Sequence, residues 1–191
     1  MGQTLTSKSK DASSTRADRT RLAILQGAAA AFREHGYHAT RLEDVAAALG
    51  RTKGSLYYYF ASKEEILFFC QDYTLDALLE AARRAKDAGA GAIDALRRLL
   101  ADHVRVVLGE MGGGLAHLEV DALPSELRAT IVAKRDRYEA AVRKLITAGQ
   151  RAGTLDRGDP ALLSRMVLGG VNSTVQWYRP DGPLTDRKSV V

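Results

Sequence analysis

The sequence predicts an all-α fold, with a small three-helix head at the N-terminal end and a longer helical body after it. Three observations carry this expectation. Alanine, leucine and arginine dominate a chain of 191 residues that holds only four prolines, and the first three favour helix while proline breaks it. Apolar residues return at three- and four-residue spacing in one stretch after another, with no run of alternating β-branched residues. Start signals (Ser, Thr, Asp or Pro) and glycine stops bracket those stretches. Apolar residues make up 46% of the chain, enough to bury a sizeable core.

Taken in order, residues 1 to 15 are rich in Ser, Thr and Lys and read as a disordered basic arm. The first helix spans about Arg16 to His35, with Ile24, Leu25, Ala28, Ala29 and Phe32 inward and Gly36 as its stop. Thr40 and Glu43 form a T-x-x-E capping box for the second, whose buried face is Leu42, Val45, Ala46 and Leu49. Gly50 ends that helix, because a residue just past a helix often takes a left-handed conformation that only glycine enters freely. Thr52 caps a third helix, Lys53 to Phe60, that hides Leu56 and Phe60 and leaves Lys53, Ser55, Tyr58 and Tyr59 outside. Ser62 opens a fourth helix with a second box to Glu65, and Ile66, Leu67, Phe69, Cys70 and Tyr73 turn inward towards Lys86. Gly89 and Gly91 interrupt the pattern. A fifth helix follows through Ile93, Leu96, Leu100, Val104 and Leu108, stopped by Gly112 to Gly114, and then a short one, Leu115 to Val120. Pro124 starts a long helix with Leu127, Ile131, Tyr138, Val142, Leu145 and Gly149 on one stripe. Asp159 and Pro160 open the last, striped by Leu162, Met166, Gly170, Thr174 and Trp177.

The order helix, tight turn, short polar-aromatic helix, capped helix within Thr40 to Glu65 is how a chain places a helix in DNA. Charge agrees with it. Residues 1 to 63 hold ten Lys/Arg against five Asp/Glu, whereas residues 64 to 191 hold eighteen of each. All the excess positive charge of the chain therefore sits on the head, the footprint of phosphate binding with counterion release. The alternative, a helical hairpin whose tyrosines fill a core, does not require that coincidence.

From Arg21 through Leu67 the sequence resembles the tetracycline-repressor-like (TetR) transcriptional regulators. The landmarks are Ile24 and Leu25, Ala28 and Ala29, Phe32, Glu34, Gly36 and Tyr37, Thr40, Asp44 to Ala46, Leu49 and Gly50, Lys53 to Tyr57, Phe60, and Ser62 to Glu64. Tyr59 departs from the pattern, since many members carry histidine before the phenylalanine. The resemblance implies a helix-turn-helix DNA-binding head (16–61) and a helical ligand-binding and dimerisation body (62–180), followed by a tail (181–191). It also implies repression relieved by a small molecule. The expected contacts to a double-stranded DNA operator are Thr40, Arg41, Thr52, Lys53, Gly54, Ser55, Tyr57, Tyr58, Tyr59 and Lys63. Lys53 and Ser55 lie where a major-groove helix touches base edges; Thr40, Thr52, Tyr59 and Lys63 lie at helix ends that meet phosphates.

One short helix reads few bases, so a homodimer on a palindromic operator is expected. Leu145, Met166, Gly170 and Thr174 on the last two helices are its candidate interface, although a monomer's packing uses such residues equally well. The segment from Val171 to Gly182 resembles the C-terminal end of TetR-like regulators of fatty-acid, phenylacetate and steroid breakdown that answer to acyl-coenzyme A thioesters. That likeness makes His103, Met111, Leu115, Met166, Asn172, Trp177 and Arg179 candidate effector contacts, with Arg105 and Arg165 as further cations for the phosphates.

A metal-sensing reading of His103 and His117, with Asp102, Glu110 and Glu119 nearby, finds no metal-ligand spacing. A DNA binder with no effector remains the other alternative, and it requires a body without a cavity. No nucleophile elbow or phosphate-cradling loop is present, so no enzyme, cofactor or metal is expected. A lone cysteine, Cys70, and the lack of a membrane-length apolar run or signal peptide point to a cytoplasmic protein.

Overall fold

A computed structural model describes residues 16–87, 91–109, 118–178 and 182, and all its regular elements are helices. They are α1 (Arg16–His35), α2 (Leu42–Ala48), α3 (Lys53–Tyr57), α4 (Lys63–Asp87), α5 (Ala92–Leu108), α6 (Ser125–Arg151) and α7 (Pro160–Trp177). The first three pack on one another and on the start of α4; α4 to α7 pack together as the body. One buried cluster runs unbroken from Ile24 and Phe32 through Ile66, Leu67 and Leu78 to Ile131, Val142 and Ile146. The body therefore buttresses the head through α4. Among the described residues no helix is long and apolar enough to cross a membrane.

In the head, α1 buries the expected stripe, Ile24, Leu25, Ala28, Ala29 and Phe32. The second helix starts one residue later than the capping box implied. Arg41 is the N-cap residue, and its backbone N–H donates to the Asp44 carboxylate at 3.1 Å. Thr40 is only 2% exposed; its hydroxyl lies 2.8 Å from the Gly36 carbonyl and 3.2 Å from that of Ala31. Thr40 ties α2 to the end of α1 instead of facing solvent, and its expected box partner Glu43 binds Lys53.

At Gly50, φ is +61°. There the N–H of Arg51 donates to Ala46 at 2.8 Å and that of Gly50 to Ala47 at 3.0 Å, the paired closure of a Schellman ending. A Cβ on Gly27 would lie 2.8 Å from a Leu49 methyl, so α1 and α2 approach as closely as glycine allows. Helix α3 is a single regular turn rather than the expected eight residues, and Tyr58 and Tyr59 leave it in a turn before Phe60 enters the core. The Ser62 hydroxyl caps α4 by accepting the Glu65 N–H at 3.2 Å.

The body departs from expectation in its helix faces. On α5 the buried residues are Ala95, Leu96, Leu99, His103 and Val107, so of Ile93, Leu96, Leu100, Val104 and Leu108 only Leu96 is fully buried. The reason is that α5 packs on α4, α6 and α7 at once, and its apolar residues serve more than one face. On α4, Tyr73 is half-exposed and Phe69 half-buried, while Gln71 and Thr74 are buried. Leu145 packs on the core from its edge and Ile146 fills it. Leu162, Met166 and Trp177 on α7 are 57%, 65% and 52% exposed, so most of that stripe faces out and only Thr174 turns in. Met111, Gly112 to Gly114, Leu115, His117 and Arg179, with the basic arm and all of the tail but Gly182, lie outside the described residues.

Candidate functional site

The head presents one continuous surface at the α2–α3 turn. Thr52 caps α3, its hydroxyl accepting the Ser55 N–H at 3.2 Å, and this ends the chain's freedom at the point where the short helix must hold its direction. Leu56 and Phe60 anchor α3 from below, at 1% and 2% exposure, so the opposite side stands free. Tyr58 is the most exposed large hydrophobic side chain described in the head at 82%, Tyr57 is half-exposed, and Tyr59 stacks edge-on against Tyr58 at 5.0 Å. Gly54 is exposed, and a Cβ added there would meet nothing nearer than the Thr52 hydroxyl at 4.0 Å. Backbone at this point is open to close approach.

Two of the cations are already engaged. Lys53 forms an ion pair with Glu43 of α2 and lies 5.7 Å from the Tyr57 ring; the bond to Glu43 raises its pKa. Lys63 donates to the His38 carbonyl at 3.3 Å and sits 4.3 Å over the Tyr37 ring, with burial lowering its pKa. Ser55 donates its hydroxyl to the Thr52 carbonyl at 2.8 Å, so that oxygen remains free only as an acceptor. Arg41 and Thr52 are exposed at the starts of α2 and α3. Of the expected contacts, the structure places Thr52, Lys53, Gly54, Ser55, Tyr57, Tyr58 and Tyr59 at the turn, sets Arg41 at the other end of α2 and Lys63 against Tyr37 and His38, and withdraws Thr40 into the core. Glu43 was missed; its partner is ten residues away, beyond any local pairing rule.

In the body, a cavity of about 120 Å³ opens between α4, α5, α6 and α7. Leu75, Leu78 and Leu168 supply its apolar lining, and His103, Tyr138 and Asn172 its central polar group. His103 is 2% exposed, with Nδ1 3.1 Å from the Tyr138 hydroxyl and Nε2 3.0 Å from Asn172 Oδ1. A carboxamide oxygen only accepts, so Nε2 carries the hydrogen and Nδ1 accepts from Tyr138. Burial pushes the imidazole down to about 4 and raises the Tyr138 phenol, so both are neutral at pH 7.

This spends both ring nitrogens of His103, which leaves none for a metal. Among the described residues no group of three or more His, Cys, Asp or Glu could hold one. Arg135, Asp136 and Glu139 complete the lining. Met166 and Trp177 do not line it; they stand on the outer face of α7. Arg105 is paired with Asp102 at 2.8 Å and Arg165 lies 3.9 Å from Glu139. Tyr138 was expected only as a core residue, because its stripe spacing is that of any apolar position.

Family comparison matches both parts. The family model for bacterial regulatory proteins of the tetR family covers residues 24–68, and that for the tetracyclin repressor-like C-terminal domain covers 89–189. The chain is 31% identical over 176 residues to the HTH-type transcriptional repressor KstR2 of Mycobacterium tuberculosis, spanning 85% of this chain and 82% of that one. Among solved structures, PfmR, a TetR family transcriptional regulator from Thermus thermophilus, superposes with a TM-score of 0.78 at 36% identity, over 87% of this chain and 92% of that one. AibR, crystallised with isovaleryl coenzyme A and operator DNA, superposes with a TM-score of 0.78 at 30% identity, over 88% and 92%.

Proposed function

Because this chain belongs to the tetR family of bacterial regulatory proteins, we propose that it represses transcription as a homodimer on a roughly palindromic operator and is released by an acyl-coenzyme A thioester. The carrying observation is the α2–α3 unit, a capped short helix anchored by Leu56 and Phe60 that offers Lys53, Gly54, Tyr57 and Tyr58 outward above a basic head. Lys53 and Tyr58 reach base edges, while Arg41, Thr52, Tyr59 and Lys63 hold phosphates.

The dimer is supported by what the monomer leaves uncovered. Leu162, Met166 and Trp177 are exposed on α7, with Gly169 and Gly170 open beside them. A shallow depression on α6, lined by Ala140, Arg143, Lys144, Thr147, Ala148 and Arg151 of that helix alone, has no second side. A second copy would supply it. Leu145 and Thr174 contribute from beneath, as packing inside each protomer.

The effector reading is supported by the cavity, which a purely architectural DNA binder does not need, and by the likeness to AibR with its bound isovaleryl coenzyme A. Helix α4, 25 residues long and so roughly 37 Å, starts at the head and lines the cavity through Leu75 and Leu78. A ligand that prefers one setting of α4 shifts the spacing of the heads; a coupling of about 1–3 kcal/mol lowers operator affinity roughly 5- to 150-fold.

The test is selection from a random duplex pool, then titration of the selected complex with acyl-CoAs, free fatty acids and divalent metals. The expected site is palindromic with half-sites about one turn, roughly 35 Å, apart, and only thioesters release it. Release by free acids or metals with thioesters inert would overturn the effector; a lone half-site would overturn the dimer.

A further inference from the structure

The body cavity is small and nearly half polar, and both features restrict what enters it. We infer that its ligand is a short acyl group that carries its own oxygen, a hydroxyl or keto group on a chain of about four carbons, and that Asn172 and Tyr138 select for it. This rests on the effector reading above and narrows it.

Size comes first. A cavity of 150 Å³ holds benzene, six non-hydrogen atoms, so about 120 Å³ admits about five. A long saturated chain exceeds that volume and would have to leave the site along its open side.

Polarity decides the rest. Asn172 gives its Oδ1 to His103 and is thereby held with a fixed rotamer, while its Nδ2 has no hydrogen-bond partner among the described residues. Tyr138 donates its hydrogen to His103 Nδ1, which leaves its oxygen free to accept. The pair therefore offers donors from one side and an acceptor from the other. A hydroxyl answers both and a keto oxygen answers the donors, whereas a plain methylene chain would bury them unanswered, which costs more than the missing contacts alone. A ligand carboxylate is disfavoured, because it must shed its water beside the Asp136 and Glu139 carboxylates while Arg143 and Arg165 are already paired with Glu139 at 4.0 and 3.9 Å.

Four-carbon thioesters separate the cases. Butyryl-, 3-hydroxybutyryl-, acetoacetyl- and succinyl-CoA, with palmitoyl-CoA as the long chain, are titrated against the operator complex, and thermal shift follows binding without DNA. The hydroxy and keto esters are expected to act at concentrations about tenfold lower than butyryl-, succinyl- or palmitoyl-CoA. Asn172→Leu, normalised to its own ligand-free operator affinity, is expected to erase that gap; Tyr138→Phe, which keeps the ring in the core, is expected to narrow it for the hydroxy ester alone.

Butyryl-, succinyl- or palmitoyl-CoA acting as well as the oxygenated esters overturns the inference while the thioester reading stands. So does a gap that survives in both variants. Inertness of every thioester overturns the effector reading itself, and this inference with it.

Discussion

His103 is an imidazole at the centre of the body with both nitrogens satisfied and burial opposing its charge, so the folded chain holds it neutral. In the unfolded chain it titrates at its ordinary 6.5, and in the folded chain at about 4. Its contribution to stability is therefore complete above pH 6.5 and is lost as pH falls from 6.5 to about 4, by roughly 3 kcal/mol. Urea unfolding at pH 7 and pH 4.5 should show the wild type losing stability relative to His103→Gln across that window; parallel curves would contradict the burial account.

Lys53 makes the opposite case, an exposed cation held by Glu43. Removing the carboxylate in Glu43→Gln frees the ammonium for the base edges, so operator affinity should rise several-fold and discrimination between the selected operator and a base-substituted one should sharpen. Unchanged affinity and discrimination would mean that Lys53 does not reach the bases. Neither pairing was legible in the sequence. His103, Tyr138 and Asn172 come from three helices, and a tyrosine at an apolar position shows its spacing but not what its hydroxyl meets.

At the scale of elements, signals that act within about four residues were legible and longer ones were not. Thr52, Ser62 and Asp159 cap α3, α4 and α7 as their spacing implied. Local competition explains the exception: the Thr40 N–H donates to the Gly36 carbonyl at 3.2 Å and Asp44 takes the Arg41 N–H at 3.1 Å, so the start of α2 moves by one residue. The face that α5 buries depends on three partner helices, which no window on α5 contains. Periodicity on α7 identified the residues that share a stripe, but a stripe covered by the same chain and one awaiting another copy have the same spacing.

The cap of α3 carries a prediction of its own. With one regular turn, α3 has almost no intrinsic stability, so Thr52→Ala should cost about 1 kcal/mol and weaken operator binding about fivefold. Thr52→Ser should restore both. Faster hydrogen exchange at the Ser55 amide in the alanine variant checks the cause; loss of affinity with that amide still protected would leave the proposed phosphate contact of Thr52 as its whole role and refute the cap account.

For the whole molecule, a regulator with one short reading helix per chain depends on a second chain to gain enough contacts, and the outer face of α7 is where the fold leaves room for it. Gly170 tests this better than the neighbouring apolar residues. A Cβ there meets nothing within 4 Å, and replacing glycine inside a helix raises its propensity by up to about 1 kcal/mol, so Gly170→Glu should fold at least as well as the wild type. Its carboxylate would nevertheless project into the proposed interface beside Met166, and burying an unpaired charge there costs several kcal/mol. Light scattering should give the wild type a mass about twice 20.7 kDa and the variant about half of that, with unchanged helix content. Operator binding should then fall steeply on a palindrome and only slightly on a single half-site, since each head still reads its own bases. A Gly170→Glu chain that remains dimeric would move the interface away from α7.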